Sequence, residues 1–176
     1  VQGSSAGAMA TIGTPAIDEL LKILVDPACT AFQVGLINLA LSFIGSKAPD
    51  AFDQAALSNN IEIRIAAITV LAEQIQAQTN SSAKSSLIKA LSDEASEVRA
   101  EAATMAGKTL EPEDASHQLC KMLKDESVQV RKNTSLALMK MEATEAINQI
   151  REAMTTEQDD QVKSVMSVAV SVLEKI

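Results

Sequence analysis

Residues 87–99, LIKALSDEASEVR, return 32 positions later as residues 119–131, LCKMLKDESVQVR, with seven of thirteen positions identical: Leu, Lys, Leu, Asp, Glu, Val and Arg at the same offsets. Self-similarity at a period of about 20–50 residues marks a solenoid. A single unit of that length cannot bury its own apolar face, so neighbouring units must stack and share one continuous core.

The composition fits close stacking. Hydrophobic residues make up 47% of the chain, yet they are Ala, Leu, Ile, Val and Met, with three Phe and neither Trp nor Tyr. Small aliphatic side chains let helices approach, whereas a platform for stacking bases or sugars needs aromatic faces. The net charge of −8 excludes nucleic acid as a partner, since phosphate binding wants clustered Lys and Arg, and disfavours an anionic membrane surface. No apolar run reaches transmembrane length, and no signal peptide is visible, so membrane insertion is not expected and a cytoplasmic location is. Two cysteines, Cys29 and Cys120, make no disulfide framework. Cys120 sits where other copies carry Leu21 and Ile88 and reads as a small buried hydrophobe.

In order, Val1–Gly13 aligns with the second half of the unit, Val1 falling on Val98 and Val130. The sequence is therefore expected to start mid-repeat, as part of a longer chain. Thr14-Pro15 is an N-cap followed by a first-turn proline. Helices are expected over Pro15–Val25 and Ala31–Ile44, the latter with a narrow stripe of Gly35, Asn38, Ser42 and Gly45, then over Pro49–Ser58 and Ile61–Gln76, with Asn59-Asn60 in place of a turn aspartate. The interval from Ile63 to Val98 is 35 residues, against 32 from Val98 to Val130, which places a three-residue insertion in the loop 76–82. Ala83–Ser92 with Glu97–Thr109, Ala115–Lys124 with Val128–Met141, and Glu145–Thr155 with Gln161–Ile176 complete the series. The expected fold is all-α: an α-solenoid, a right-handed superhelix of about five and a half hairpins forming a single domain over residues 1–176, with units near 1–13, 14–45, 46–76, 82–110, 112–142 and 144–176.

Two helices per unit, an Asp in the turn and a Val-Arg opening the second helix resemble HEAT repeats. Val98-Arg99 with Ala102, Ala103 and Gly107 looks most like the short HEAT-like repeat of phycobilisome lyases; Val1-Gln2, Ile63-Arg64 and Val130-Arg131 follow, while Val162-Lys163 and Phe32-Gln33 diverge. Asp26, Asp93 and Asp125 precede second helices, where a carboxylate can cap free N–H groups. Arg64, Arg99 and Arg131 open those helices, and the resemblance implies an Asp/Arg ladder joining neighbouring units. On that reading Arg99→Ala lowers the melting temperature well beyond Lys84→Ala. The resemblance also implies that second helices line the concave side, where Thr69, Glu73, Glu101, Thr104, Lys108, Lys132 and Lys140 form a mixed-charge, partner-binding strip.

No catalytic or metal-binding constellation can be composed. His117 is the lone histidine, with Cys120 the one soft neighbour at i+3, too few ligands for a metal site. Gly107–Thr109 lacks the phosphate-loop spacing and follows a helix. The acidic run Glu157–Asp160 reads as a solvated loop. The last helix carries Val162, Val165, Met166, Val168, Val170, Val172, Leu173 and Ile176 around a polar stripe of Ser164, Ser167, Ser171 and Lys175, a thin cap for a terminal unit and a candidate surface for self-association. The expectation is a non-catalytic scaffold binding another protein, with no cofactor. What the resemblance implies as the alternative is a phycobilin lyase-like protein, or a phycobilisome assembly or degradation factor, with phycobiliprotein as partner; a segment of a larger sensory protein is a third reading.

Overall fold

Every regular element among the described residues is helical. The structure is a computed structural model describing residues 16–24, 26, 28–30, 33, 36, 37, 40, 41, 44, 51–78 and 80–176. The expectations for Val1–Gly13, Thr14-Pro15, the stripe Gly35, Asn38, Ser42 and Gly45, and the loop that follows lie outside those residues. The helices are α1 (Ile17–Leu24), α2 (Ala51–Ala55), α3 (Ile61–Ala77), α4 (Ala83–Ala90), α5 (Ser96–Thr109), α6 (Pro112–Met122), α7 (Val128–Lys140), α8 (Ile147–Thr156, entered through a 3₁₀ turn at Thr144–Ala146) and α9 (Asp160–Leu173). Helix α6 starts earlier than the apolar pattern suggests because Pro112 takes the first helical position, where its missing N–H costs nothing.

The chain divides into two compact units, Val1–Ser86 and Leu87–Ile176. In the first, α1 packs on α2 and α3. Its core joins Ile17, Leu20 and Leu21 to Phe52, Ile63, Ala67 and Leu71, with Ile37, Ala40, Leu41 and Ile44 beside them. Asn60 caps α3 by accepting from the N–H groups of Glu62 and Ile63. The inserted loop is tied down: Gln78 ends α3 in the left-handed region at φ 54°, and buried Asn80 donates to buried Gln74 at 2.9 Å. Ser82 and Ser86 both donate to the Asp53 carboxylate of α2.

In the second unit α7 lies between α5 and α9, while α6 packs on α7 and α8 on α9. Val98, Ala102, Ala103 and Ala106 of α5, Val130 and Leu138 of α7, and Val162 and Met166 of α9 are fully buried or nearly so. Each large aliphatic side chain buried in this way contributes about 1.5–3 kcal/mol. The α5–α7 crossing is set by Gly107: a Cβ there would stand 2.6 Å from the Ala137 Cα and 2.8 Å from its Cβ.

One turn recurs before the second helices. Asp26 accepts from the N–H of Ala28, Asp93 from that of Ala95 and Asp125 from that of Ser127, at 2.8–2.9 Å. Ser58 accepts from Asn60 at 3.2 Å and Glu157 from Asp159 at 2.9 Å. These side chains cap the turn, not the helix. The helix N-caps behind Asp93 and Asp125 are Ala95 and Ser127, neither making a side-chain cap bond. The sequence expectation of carboxylates on helix N–H groups is corrected for Asp93 and Asp125, because each sits two residues before the N-cap of its helix.

Candidate functional site

In the second unit the residue after each of Val98, Val130 and Val162 is a cation, and the two arginines among them reach both backward and forward. Arg99 Nη1 donates to the carbonyls of Asp93 and Glu94 at 2.9 and 3.0 Å, while Nε and Nη2 grip both carboxylate oxygens of Asp125 at 2.8 and 2.9 Å. Arg131 repeats the arrangement: Nη1 takes the carbonyls of Asp125 and Glu126 at 2.9 and 3.1 Å, and Nε and Nη2 hold Glu157 at 2.6 and 2.8 Å. Such two-point guanidinium–carboxylate pairs are both strong and geometrically specific. In the first unit Arg64 Nη1 donates to the Ser58 carbonyl at 2.8 Å, the same backward reach of six residues. Asp26 makes its turn bond with Ala28 and is exposed.

Glu157 overturns the reading of its segment as a solvated loop. Its side chain is 3% exposed, and it stands 32 residues after Asp125, itself 32 after Asp93. The register is therefore present in the sequence, but a Glu replaces the Asp. The bond from Arg131, against the upward pull of burial, brings its pKa from 4.5 down to about 2. Asp125 is pulled upward by burial, but Arg99 and the Ser127 N–H outweigh this and hold it below its ordinary value. Arg131 and Arg99 are raised by their carboxylates in turn.

The sign of the pH effect follows. A carboxylate whose pKa is depressed by folding stabilises the fold fully above its unfolded value and loses that contribution as pH falls through the folded value. The Glu157 contribution is thus intact above about pH 4.5 and fades toward pH 2. Urea unfolding measured from pH 7 to pH 3 is expected to show less loss over that window in Glu157→Gln than in the parent chain.

The strip expected on the second helices is distributed as follows. In α3, Thr69 is half-buried, donating to the Ile65 carbonyl at 3.3 Å, and Glu73 is exposed. In the second unit Glu101, Thr104 and Lys132 are half-buried, and Lys108 and Lys140 are exposed. Thr104, Lys108 and Lys140 share a shallow slot with Asn133, Leu136 and Ala137. Asn133, missed in the sequence, bridges the helices by donating to the Ala100 carbonyl and to Thr104 Oγ1, both at 3.0 Å. On α9, Val162, Met166, Ala169, Val170 and Leu173 turn inward, while Val168 is 52% exposed and Val172 39%.

A second groove lies on the first helices, lined by His117, Cys120, Lys121 and Lys124 of the α6 segment and Gln149 and Glu152 of α8. Lys124 and Glu152 pair across it at 2.7 Å, both exposed. Cys120 is half-buried there, and burial, followed by Glu145, pushes its thiol pKa up, away from the reactive thiolate. Among the described residues no group of three or more His, Cys, Asp or Glu could hold a metal ion, and no helix is long and apolar enough to cross a membrane.

This geometry has its counterpart in known proteins. The family model for HEAT repeats matches residues 49–117 and 85–170. The chain belongs to the HEAT-repeat family. The HEAT units account for the joints described above, in which a fixed spacing places one cation and one carboxylate per repeat. A curated relative, the bilin biosynthesis protein MpeU of Synechococcus sp. (strain WH8020), is 57% identical over 161 residues, which is 92% of this chain and 54% of that protein. The chain thus spans about half the length of that relative. Among solved structures, an engineered protein aligns with a TM-score of 0.57 at 21% identity, covering 98% of this chain and 90% of its own. A designed armadillo repeat protein in complex with the peptide (KR)4 aligns with a TM-score of 0.58 at 20% identity, covering 97% and 90%. At that identity the likeness concerns the all-α solenoid fold alone.

Proposed function

We propose that this HEAT-repeat chain is the protein-docking part of a factor that works on bilin attachment, and that its partner is a phycobiliprotein. The observation that carries this reading is the 57% identity to a bilin biosynthesis protein across 92% of the chain. The chain's own chemistry supports docking over catalysis. Its best-formed polar groups, the Arg99–Asp125 and Arg131–Glu157 pairs, are spent joining one repeat to the next, and the Cys120 thiol is held toward its neutral form. The second-helix face of the second unit, with Glu101, Thr104, Lys108, Lys132 and Lys140, is the docking surface in this reading; Thr69 and Glu73 hold the equivalent positions on α3 of the first unit.

The test is capture of a purified apo-phycobiliprotein subunit on the immobilised chain, with and without free bilin. Retention above that on an unrelated protein of similar pI, near 4.7, is the expected result. Failure to retain the subunit in either condition, with helical circular dichroism intact, would count against the reading.

A further inference from the structure

The second-helix face of the second unit concentrates the opposite character to the chain as a whole. Lys108 lies in the last turn of α5 and Lys140 ends α7, one 32-residue repeat apart. Both are exposed, and neither has a hydrogen bond or ion pair among the described residues. The slot beside them, about 90 Å³, has Leu136 and Ala137 in its lining. Leu136 is 39% exposed, and Val168 and Val172 continue the apolar surface in register on α9. Lysines at helix C-termini suit the helix dipole, but the dipole gives no reason for exposed Leu136, Val168 and Val172 beside them. On a chain of net charge −8, this is a local basic and apolar face.

From this face we infer that the second unit docks an acidic amphipathic helix of a protein partner, its carboxylates on Lys108 and Lys140 and its apolar residues on Leu136 and Val168. The inference rests on the docking reading above and narrows it. The slot is far below the roughly 300–1,000 Å³ of a small-molecule pocket, so a ligand lies across it, not inside it. The two lysines stand on adjacent packed helices, α5 and α7, about 8–10 Å apart at their axes. A helix presents carboxylates on one face at successive turns, at roughly 5.4 and 10.5 Å, within reach of two lysines on flexible stems, and it brings its apolar residues along the same face. Glu101, further back on α5, confines the acidic contacts to the C-terminal ends of α5 and α7.

The test uses the whole chain and a fluorescein-labelled, helix-stapled peptide with Glu residues two turns apart and Leu between them, read by fluorescence anisotropy. Binding that weakens with salt is expected. It falls at least about tenfold in Lys108→Glu/Lys140→Glu and in Leu136→Asp, and is unchanged in Lys89→Glu/Lys121→Glu; all are exposed positions, and circular dichroism checks each fold. Equal binding of a Lys-for-Glu peptide or of a proline-interrupted, extended peptide overturns the inference, as does indifference to the double charge reversal. Free bilin binding that the double charge reversal abolishes, with no peptide binding, assigns the face to a small dicarboxylate and also overturns it. Lost peptide binding with phycobiliprotein capture intact defeats this face alone. Lost capture with peptide binding intact defeats the bilin-attachment reading alone.

Discussion

Arg131→Ala is expected to destabilise the chain by about 3 kcal/mol, because truncating one partner of a buried pair leaves the other charge uncompensated. Glu157 is the charge left behind, with a side chain 3% exposed and no other cation within bonding distance among the described residues. The same truncation frees the carbonyls of Asp125 and Glu126, which Arg131 Nη1 now satisfies. Arg99→Ala should have a smaller effect, since its partner Asp125 has an 11% exposed side chain and keeps the nearby charge of Arg131. Lys89→Ala, at an exposed site away from the joints, should change stability by no more than about 0.5 kcal/mol. Urea unfolding followed by circular dichroism ranks the three. An Arg131→Ala chain as stable as Lys89→Ala would contradict the assignment of the pair as a joint.

Gly107→Ala is the second large effect, and its sign is a contest. Alanine in a helix interior is favoured over glycine by about 0.8–1 kcal/mol. Against that, the new Cβ would lie 2.6 Å from the Ala137 Cα, a backbone atom that cannot rotate away. Relief requires α5 and α7 to separate, and overpacking of a close-packed interface costs about 1–3 kcal/mol. A net loss is therefore expected, read as a lower urea midpoint. Ala137→Gly in the same chain should restore only part of it. That change removes the methyl group 2.8 Å away but leaves the backbone carbon at 2.6 Å in place. A Gly107→Ala chain more stable than the parent would show that the helices are free to move apart.

The repeat makes the fold legible without coordinates. Leu, Val and Arg at a fixed 32-residue spacing identify which helices stack and which side chains join them. The same spacing points to Glu157, yet the residue hides among Glu157–Asp160 because four polar residues in a row look solvated, and one extra methylene disguises a Glu in an Asp position. Gly107 is visible as a motif glycine, but the reason for it is a distance to Ala137, and no pattern within one helix contains a distance to another. The exposed face is legible only by its charge. Leu136 looks like core by its apolar character, and the structure shows it 39% exposed; Val168, 52% exposed, belongs to the apolar surplus that the sequence shows on the last helix. Helical periodicity orders residues around one axis and is silent about which arcs a neighbour covers. The second-helix partner is the least legible part, because docking is decided by a surface that no single repeat contains.

The most direct measurement is a double-mutant cycle across the Arg131–Glu157 pair, using Arg131→Met, Glu157→Leu and the combined variant in urea unfolding at pH 7. If the two side chains join neighbouring repeats as a unit, the double variant recovers most of what either single change loses, since replacing a buried ion pair by apolar residues is often near neutral while breaking it is not. The expected coupling is about 2 kcal/mol, within the range for residues that touch. Losses that simply add, to within about 0.5 kcal/mol, would mean that the two side chains do not act together and would contradict the ladder as the device that holds the repeats in register.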